Sequence, residues 1–186
     1  AGSLSLGRLY EGHVNAVRLV LRYGTDAQAG LTAADAADGH LFGVWNTETP
    51  PGLRLLPEAG HWRFDGAKAH ASGAGRVTRA LVTARPPDGA EPVMVLVRLD
   101  PAEAPHRADL TPWAGIHGMR ASATGRYDLS GLAVGAGDRI GGPGDYLRQP
   151  DFSAGAWRFC AVQLGGAERL VDLLSSTLRE SGRTGH

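Results

Sequence analysis

Residues 41–84 read LFGVWNTETPPGLRLLPEAGHWRFDGAKAHASGAGRVTRALVTA. Residues 4–23 carry apolar residues at helical spacing; from Leu41 the period is two. The stretch forms two strand-and-turn units. The first ends in Trp45-Asn46-Thr47-Glu48. The second carries Asp65-Gly66-Ala67-Lys68 and then Ser72-Gly73-Ala74-Gly75. Trp62, Phe64 and the alternation after them predict a strand near 61–70. A short strand follows at 80–84, and Arg85-Pro86-Pro87-Asp88-Gly89 closes it with strong turn chemistry. The two polar turns are the first candidates for a chemical site.

Outward from this region the pattern turns helical on both sides. In residues 4–23, Leu6, Tyr10, Val14, Val17 and Leu21 recur at three or four, and Gly24 offers a stop. Residues 26–40 are Ala-rich with little periodicity and read as a loop plus a short helix. Downstream, 93–99 is a nearly continuous apolar strand, 101–106 a loop, and 111–120 and 125–134 further short strands. Gly141-Gly142-Pro143-Gly144 marks a boundary. Residues 152–180 then read as one helix, with Cys160, Leu164, Ala167, Val171, Leu174 and Leu178 along one stripe. The predicted fold class is α+β. A small antiparallel β-barrel or sandwich (41–140) is flanked by an N-terminal helical region (1–40) and a long C-terminal helix (141–186). The apolar stripe needs a partner surface, so the isolated chain is expected to self-associate as a homo-oligomer.

Composition excludes several classes. The 186 residues carry 19 basic and 19 acidic side chains, so nothing asks for nucleic acid or an anionic membrane. No apolar run is long enough for membrane insertion, and there is no signal-peptide core. Cys160 is the only cysteine, which removes intrachain disulfides and cysteine-based zinc sites. A cytoplasmic location is the default expectation. The histidines show no metal-ligand spacing and read as scattered surface groups. No Gly-x-Ser-x-Gly elbow is present. Gly73-Ala74-Gly75 precedes a strand and not a helix, so it is no dinucleotide fingerprint.

The order of elements and several local motifs resemble the acyl-CoA dehydrogenase family of flavoenzymes. Leu9-Tyr10-Glu11-Gly12-His13-Val14-Asn15-Ala16 looks like a helix ending the family's N-terminal domain. Phe42-Gly43-Val44-Trp45-Asn46-Thr47-Glu48 is similar to its strand ending in Thr-Glu. Asp65 to Ser72 looks like the stretch Asn-Gly-x-Lys-x-Trp-x-Thr/Ser. Gly118-Met119-Arg120-Ala121-Ser122 to Tyr127-Asp128-Leu129 resembles the late strand pair of the middle β-domain, and Gln163-Leu164-Gly165-Gly166-Ala167 the start of the C-terminal helices. Family members are considerably longer, so the chain is expected to be an internal portion.

The resemblance implies FAD as cofactor and an acyl-CoA-like substrate, oxidised at its Cα–Cβ bond with hydride passing to flavin N5. It implies that Thr47 meets the pyrimidine side of the isoalloxazine and that Ser72 lies near N5 and the O4 edge. Both residues can equally serve as turn hydroxyls bonded to local backbone. His70 falls where the family often has Trp beside the flavin, and a half-buried strand histidine is the equal alternative. Trp45 is a second aromatic near the same turn, with core packing as its alternative. Lys68 matches the family's Lys and reads as a solvated strand charge. Cys160 reads as a buried thiol, and Arg158 is unassigned. No catalytic residue is assigned; the carboxylate base is expected beyond His186. The turn Thr49-Pro50-Pro51-Gly52-Leu53 lacks the serine that family members often place there against phosphate. That departure and His70 motivate an alternative, a non-catalytic flavin- or acyl-binding or protein-interaction module.

Overall fold

The computed structural model describes residues 3–182. Helix α1 spans Leu4–Tyr23, the bounds its spacing predicts, but the buried face carries Ser5, Glu11, Ala16, Leu19 and Val20, while Leu6, Tyr10 and Leu21 of the predicted stripe are exposed. Gly24 ends it with extended backbone at φ −79°. Helix α2, Asp26–Ala37, is a full 12-residue helix and not a short piece. A capping box starts it. The Thr25 N–H donates to Gln28 Oε1 at 2.9 Å, and the Gln28 N–H donates back to Thr25 Oγ1 at 3.3 Å. The lack of apolar periodicity in its Ala-rich sequence hid this helix.

The strands are β1 (Phe42–Trp45), β2 (Arg54–Glu58), β3 (His61–Asp65), β4 (Ala67–Ala71), β5 (Arg79–Ala84) and β6 (Val93–Arg98), then β7 (Ala108–Asp109), β8 (Gly125–Asp128), β9 (Ala133–Val134) and β10 (Arg139–Ile140). The four-residue helix α3 (Ala104–Arg107) precedes β7, where a loop was expected. Helix α4 runs Asp151–Glu180. Three small sheets result, ordered β1-β5-β6-β10, β2-β3-β9 and β4-β8-β7. They pack as layers and do not close into a barrel. All pairings are antiparallel except β1–β5, where Phe42 faces Arg79 and Trp45 faces Val82 in parallel register. The excursion through β2, β3 and β4 returns the chain in the same direction, which makes this pair parallel.

The strand expected near 61–70 is two strands in two different sheets. Gly66 separates them at φ 121°, and a Cβ there would stand 2.5 Å from the Gly52 carbonyl oxygen. Only glycine fits that turn. Residues 111–120 are not strands. Pro112 and the Asp109 cap of Thr111 start a 3-10 turn over Thr111–Trp113, and a second covers Arg120–Ser122.

The β1-β5-β6-β10 sheet is buried on both faces, which explains the unbroken apolar reading of β5 and β6. Its inner face joins Trp45, Val82 and Val95 to Leu55, Phe64, Tyr127 and Leu129 of the other sheets. Its outer face packs Phe42, Leu81, Met94 and Ile140 under α1. Asp35 of α2 binds the Arg79 guanidinium through both carboxylate oxygens at the sheet edge.

Helix α4 meets α1 through small residues. A Cβ at Gly7 would lie 2.8 Å from Val162, and one at Gly166 would lie 2.5 Å from Leu4. The predicted apolar stripe points elsewhere: Leu164, Val171 and Leu174 are 62%, 62% and 60% exposed. Cys160 is exposed with them, so the expectation of a buried thiol fails for this chain alone. Helical spacing reports an apolar face; it does not report which face meets a neighbour.

Candidate functional site

Strand β4 is regular to Lys68 and then bulges before Ala71. His70 sits in the bulge with φ 50° and turns out to the surface. Its ring meets Trp113 edge-on, with centroids 5.0 Å apart. Two residues on, Ser72 is 8% exposed. Its hydroxyl is 3.0 Å from that of Thr124, which in turn lies 2.9 Å from the hydroxyl of Ser122. The result is a row of three linked hydroxyls.

These groups line a groove of about 740 Å³ between β4, the 110–124 segment and the N-terminal halves of α1 and α4. Trp113, Met119 and Phe159 supply apolar wall, and Arg8 and Arg120 supply positive charge. Arg8 pairs with Glu11 on α1 and stands 5.7 Å from the Phe159 ring centre. Burial pushes the Glu11 carboxyl above the usual carboxylate range, and Arg8 opposes that shift. No carboxylate lines the groove among the described residues.

Backbone strain concentrates here. Among the described residues the non-glycine positions with positive φ are His70, Met119 and Ala123, at 50°, 49° and 45°, and all three line the groove. Each such conformation costs on the order of 1 kcal/mol and needs surroundings that enforce it. Cross-chain bonds do so: the Gly73 N–H donates to Ser122 O at 2.7 Å, and the Ala74 N–H to Ala123 O at 3.1 Å.

The four predicted site residues are distributed as follows. His70 and Ser72 share the groove. Trp45 lies beneath it, 1% exposed, packed 5.0 Å from the Tyr127 ring centre. Its indole Nε1 donates to the Ser72 carbonyl at 3.0 Å, so it fixes the Ser72 backbone from the core side. Thr47 is exposed on the strand extension beside β4, where its carbonyl accepts from the Ala69 N–H at 2.9 Å. It is a neighbour of the groove and not part of its lining.

Lys68 overturns its expected role. It is 0% exposed, and its ammonium donates to Glu48, Asn46 and Thr83. Arg158, unassigned from sequence, donates to Asn15 Oδ1 at 2.9 Å and ties α4 to α1. His13 is a structural acceptor and no surface group: the Phe42 N–H donates to its Nδ1 at 3.2 Å. No cluster of His, Cys, Asp or Glu suited to a metal occurs among the described residues. Sequence reasoning missed Arg8, Trp113, Met119 and Phe159 as groove residues. The strained Met119 follows Gly118, and that pairing with Pro112 and Gly115 was the available sign of a looped wall.

The groove has room and lining for a flat heterocycle. Its hydroxyl row can bond ring-edge heteroatoms, its aromatic wall can cover a ring face, and among the described residues its charged lining is Arg120 and the Glu11-paired Arg8.

No protein-family profile and no curated protein matches the chain. Solved structures do. A steroid ACAD aligns over 95% of this chain and 48% of its own, with TM-score 0.68 and 21% identity. FMN-bound TdsC from a Paenibacillus species aligns over 77% of this chain and 38% of its own, with TM-score 0.61 and 23% identity. Methanesulfinate monooxygenase MsuC from Pseudomonas fluorescens aligns over 73% and 35%, with TM-score 0.58 and 15% identity. The chain therefore has the fold of acyl-CoA dehydrogenase-like flavoproteins and spans less than half the length of these structures.

Proposed function

We propose that this chain is the flavin-holding portion of an acyl-CoA dehydrogenase-like oxidoreductase, with FAD as its cofactor. The observation that carries the reading is the groove at the end of β4. There, strained backbone, a hydroxyl row and an apolar wall converge where the sequence motif puts the isoalloxazine. The shared fold supports it. A bound flavin supplies the redox chemistry, accepting hydride at N5. The chain's own residues bind and orient. Ser72, backed by Thr124, bonds the ring edge near O4. Thr47 bonds the pyrimidine edge from the neighbouring strand. His70 and Trp113 cover a ring face. Arg120 keeps the local potential positive, with Arg8 offset by its pairing to Glu11, and that favours charge developing on a bound carbonyl. The substrate class is an acyl-CoA-like thioester oxidised at Cα–Cβ. The proton-accepting base comes from outside the described groove, whose lining has no carboxylate. Association with a second copy and a cytoplasmic location belong to the same proposal; no described helix is long and apolar enough to cross a membrane.

The test is flavin retention. The chain is mixed with FAD or FMN, desalted and scanned. Retained absorbance is expected, with loss in Ser72→Ala, and no bleaching when acyl-CoA is added to the chain alone. Failure to retain either flavin overturns the reading. A second reading, flavin-dependent oxygenation, is favoured by His70 in the tryptophan position and by the turn without the serine. TdsC and MsuC share the fold. Chemically reduced, chain-bound flavin exposed to oxygen separates the two: rapid oxygen consumption favours the oxygenase, and slow reoxidation the dehydrogenase.

A further inference from the structure

Lys68 is the only lysine in the chain, and it is completely buried. All three of its N–H donors are used. Nζ lies 2.6 Å from Glu48 Oε1, 3.1 Å from Thr83 Oγ1 and 3.2 Å from the Asn46 carbonyl oxygen. The Thr83 hydroxyl in turn donates to Asn46 Oδ1, so Asn46 is held by both its backbone and its side chain. Two of the three acceptors belong to the residues immediately before and after Thr47. The Thr47 carbonyl itself accepts from Ala69 on β4. Yet the Thr47 side chain is exposed, and its hydroxyl has no hydrogen-bond partner among the described residues. The Thr47 hydroxyl thus stands at a fixed point of the surface, on backbone held at Asn46 and Thr47 and flanked by the anchored Glu48 side chain.

Stability alone does not call for a lysine here. Burial pushes its ammonium below the ordinary lysine range, with Glu48 opposing. An apolar side chain of similar volume would carry no such desolvation cost. We infer that Lys68 is a positioning residue, which sets the direction of the Thr47 hydroxyl toward a ring-edge heteroatom of the bound heterocycle. The inference rests on the flavin reading for the identity of that heterocycle, not for the clamp.

The experiment has two arms. In the first, amide hydrogen exchange compares the wild-type chain with Lys68→Met and with Lys68→Met/Glu48→Gln, which leaves no buried charge unpaired. Exchange at Ala69, whose N–H bonds Thr47, is expected to speed up on the order of tenfold or more, while Val82 and Val95 in the core keep their protection. Unchanged exchange at Ala69, or a uniform rise that includes the core, overturns the clamp. In the second arm, FMN or FAD is titrated into these variants and Thr47→Ala. Each change is expected to weaken binding about tenfold and to shift the flavin absorption band alike, with no further loss when Thr47→Ala is added to the double variant. Additive losses overturn the inference and leave the flavin reading standing. No flavin binding by the wild type overturns that reading, and the exchange arm still decides the clamp. A third readout needs no variant. The single lysine gives one 15N ammonium resonance, expected to move when flavin is added; a stationary peak with flavin retained counts as refutation.

Discussion

The two walls of the groove are built in opposite ways. On the β4 side, polar groups are tied across strands distant in sequence: Lys68 reaches Asn46, Glu48 and Thr83, and Trp45 reaches Ser72. On the other side, the backbone bonds of 110–118 are local, such as Trp113 N–H to Leu110 O and Ile116 N–H to Trp113 O. Leu110 and Ile116 are 42% and 51% exposed. Long-range ties appear only from Met119 onward, through Ser122, Ala123 and Thr124 and through Gln163 to the Met119 sulfur. Local bonds with little burial open at low free energy; cross-strand bonds in a core open only with the sheet. One wall therefore holds a fixed cofactor edge, and the other can adapt to what enters.

Four measurements test whether the two walls differ in rigidity. Lys68→Ala leaves a cavity, strips Asn46 and Thr83 of their buried donor and leaves Glu48 only the exposed Arg85 as partner, and is expected to cost about 3 kcal/mol in urea unfolding. A cost under about 1 kcal/mol would mean that the β4 wall is no more rigid than its opposite. Trp113→Ala on the adaptable wall should leave stability within about 1 kcal/mol yet weaken flavin retention roughly tenfold. Equal losses in both would erase the distinction. Ala123→Gly releases a left-handed alanine and is expected to stabilise the chain by about 1 kcal/mol. Destabilisation there would mean that its φ of 45° is not a strained state.

The smallest effect is pH-dependent. Burial holds the His13 imidazole below the ordinary histidine range, and the Phe42 N–H needs its neutral Nδ1 as acceptor. The unfolded chain thus binds the proton first as pH falls. The stability from His13 is complete above about pH 6.5 and is lost as pH drops through the native value. His13→Gln keeps an acceptor for β1 and should flatten the unfolding free energy between pH 7.5 and 5.5. An unchanged slope would remove His13 as an anchor of the rigid wall.

Much of the fold was legible. Helix α1 matches its predicted bounds residue for residue, though Leu6, Tyr10 and Leu21 of its apolar stripe stay exposed, and β5 and β6 match their apolar runs to within a residue. The site was half legible. His70 and Ser72 were found through a motif and do share a groove. Lys68 was misread because an alternating strand assigns every second residue to solvent. In β4 both faces are covered, and the bulge at His70 breaks the alternation. Residues 111–120 were misread as strand although their apolar residues do not alternate; Pro112 and the Asp109 cap bend the chain into turns.

The residues alone fixed the bounds of α1, the long helix α4 and the central strands, and marked apolar faces without saying what covers them. Those are consequences of local sterics and of side-chain period. Only the tertiary structure decided which faces are covered. It buried the single lysine between three strands, left the stripe of α4 open, and brought Ser72, Thr124 and Ser122 into one row across 52 residues of chain. Burial and cross-strand hydrogen bonding depend on partners far away in sequence, and no local period carries that information.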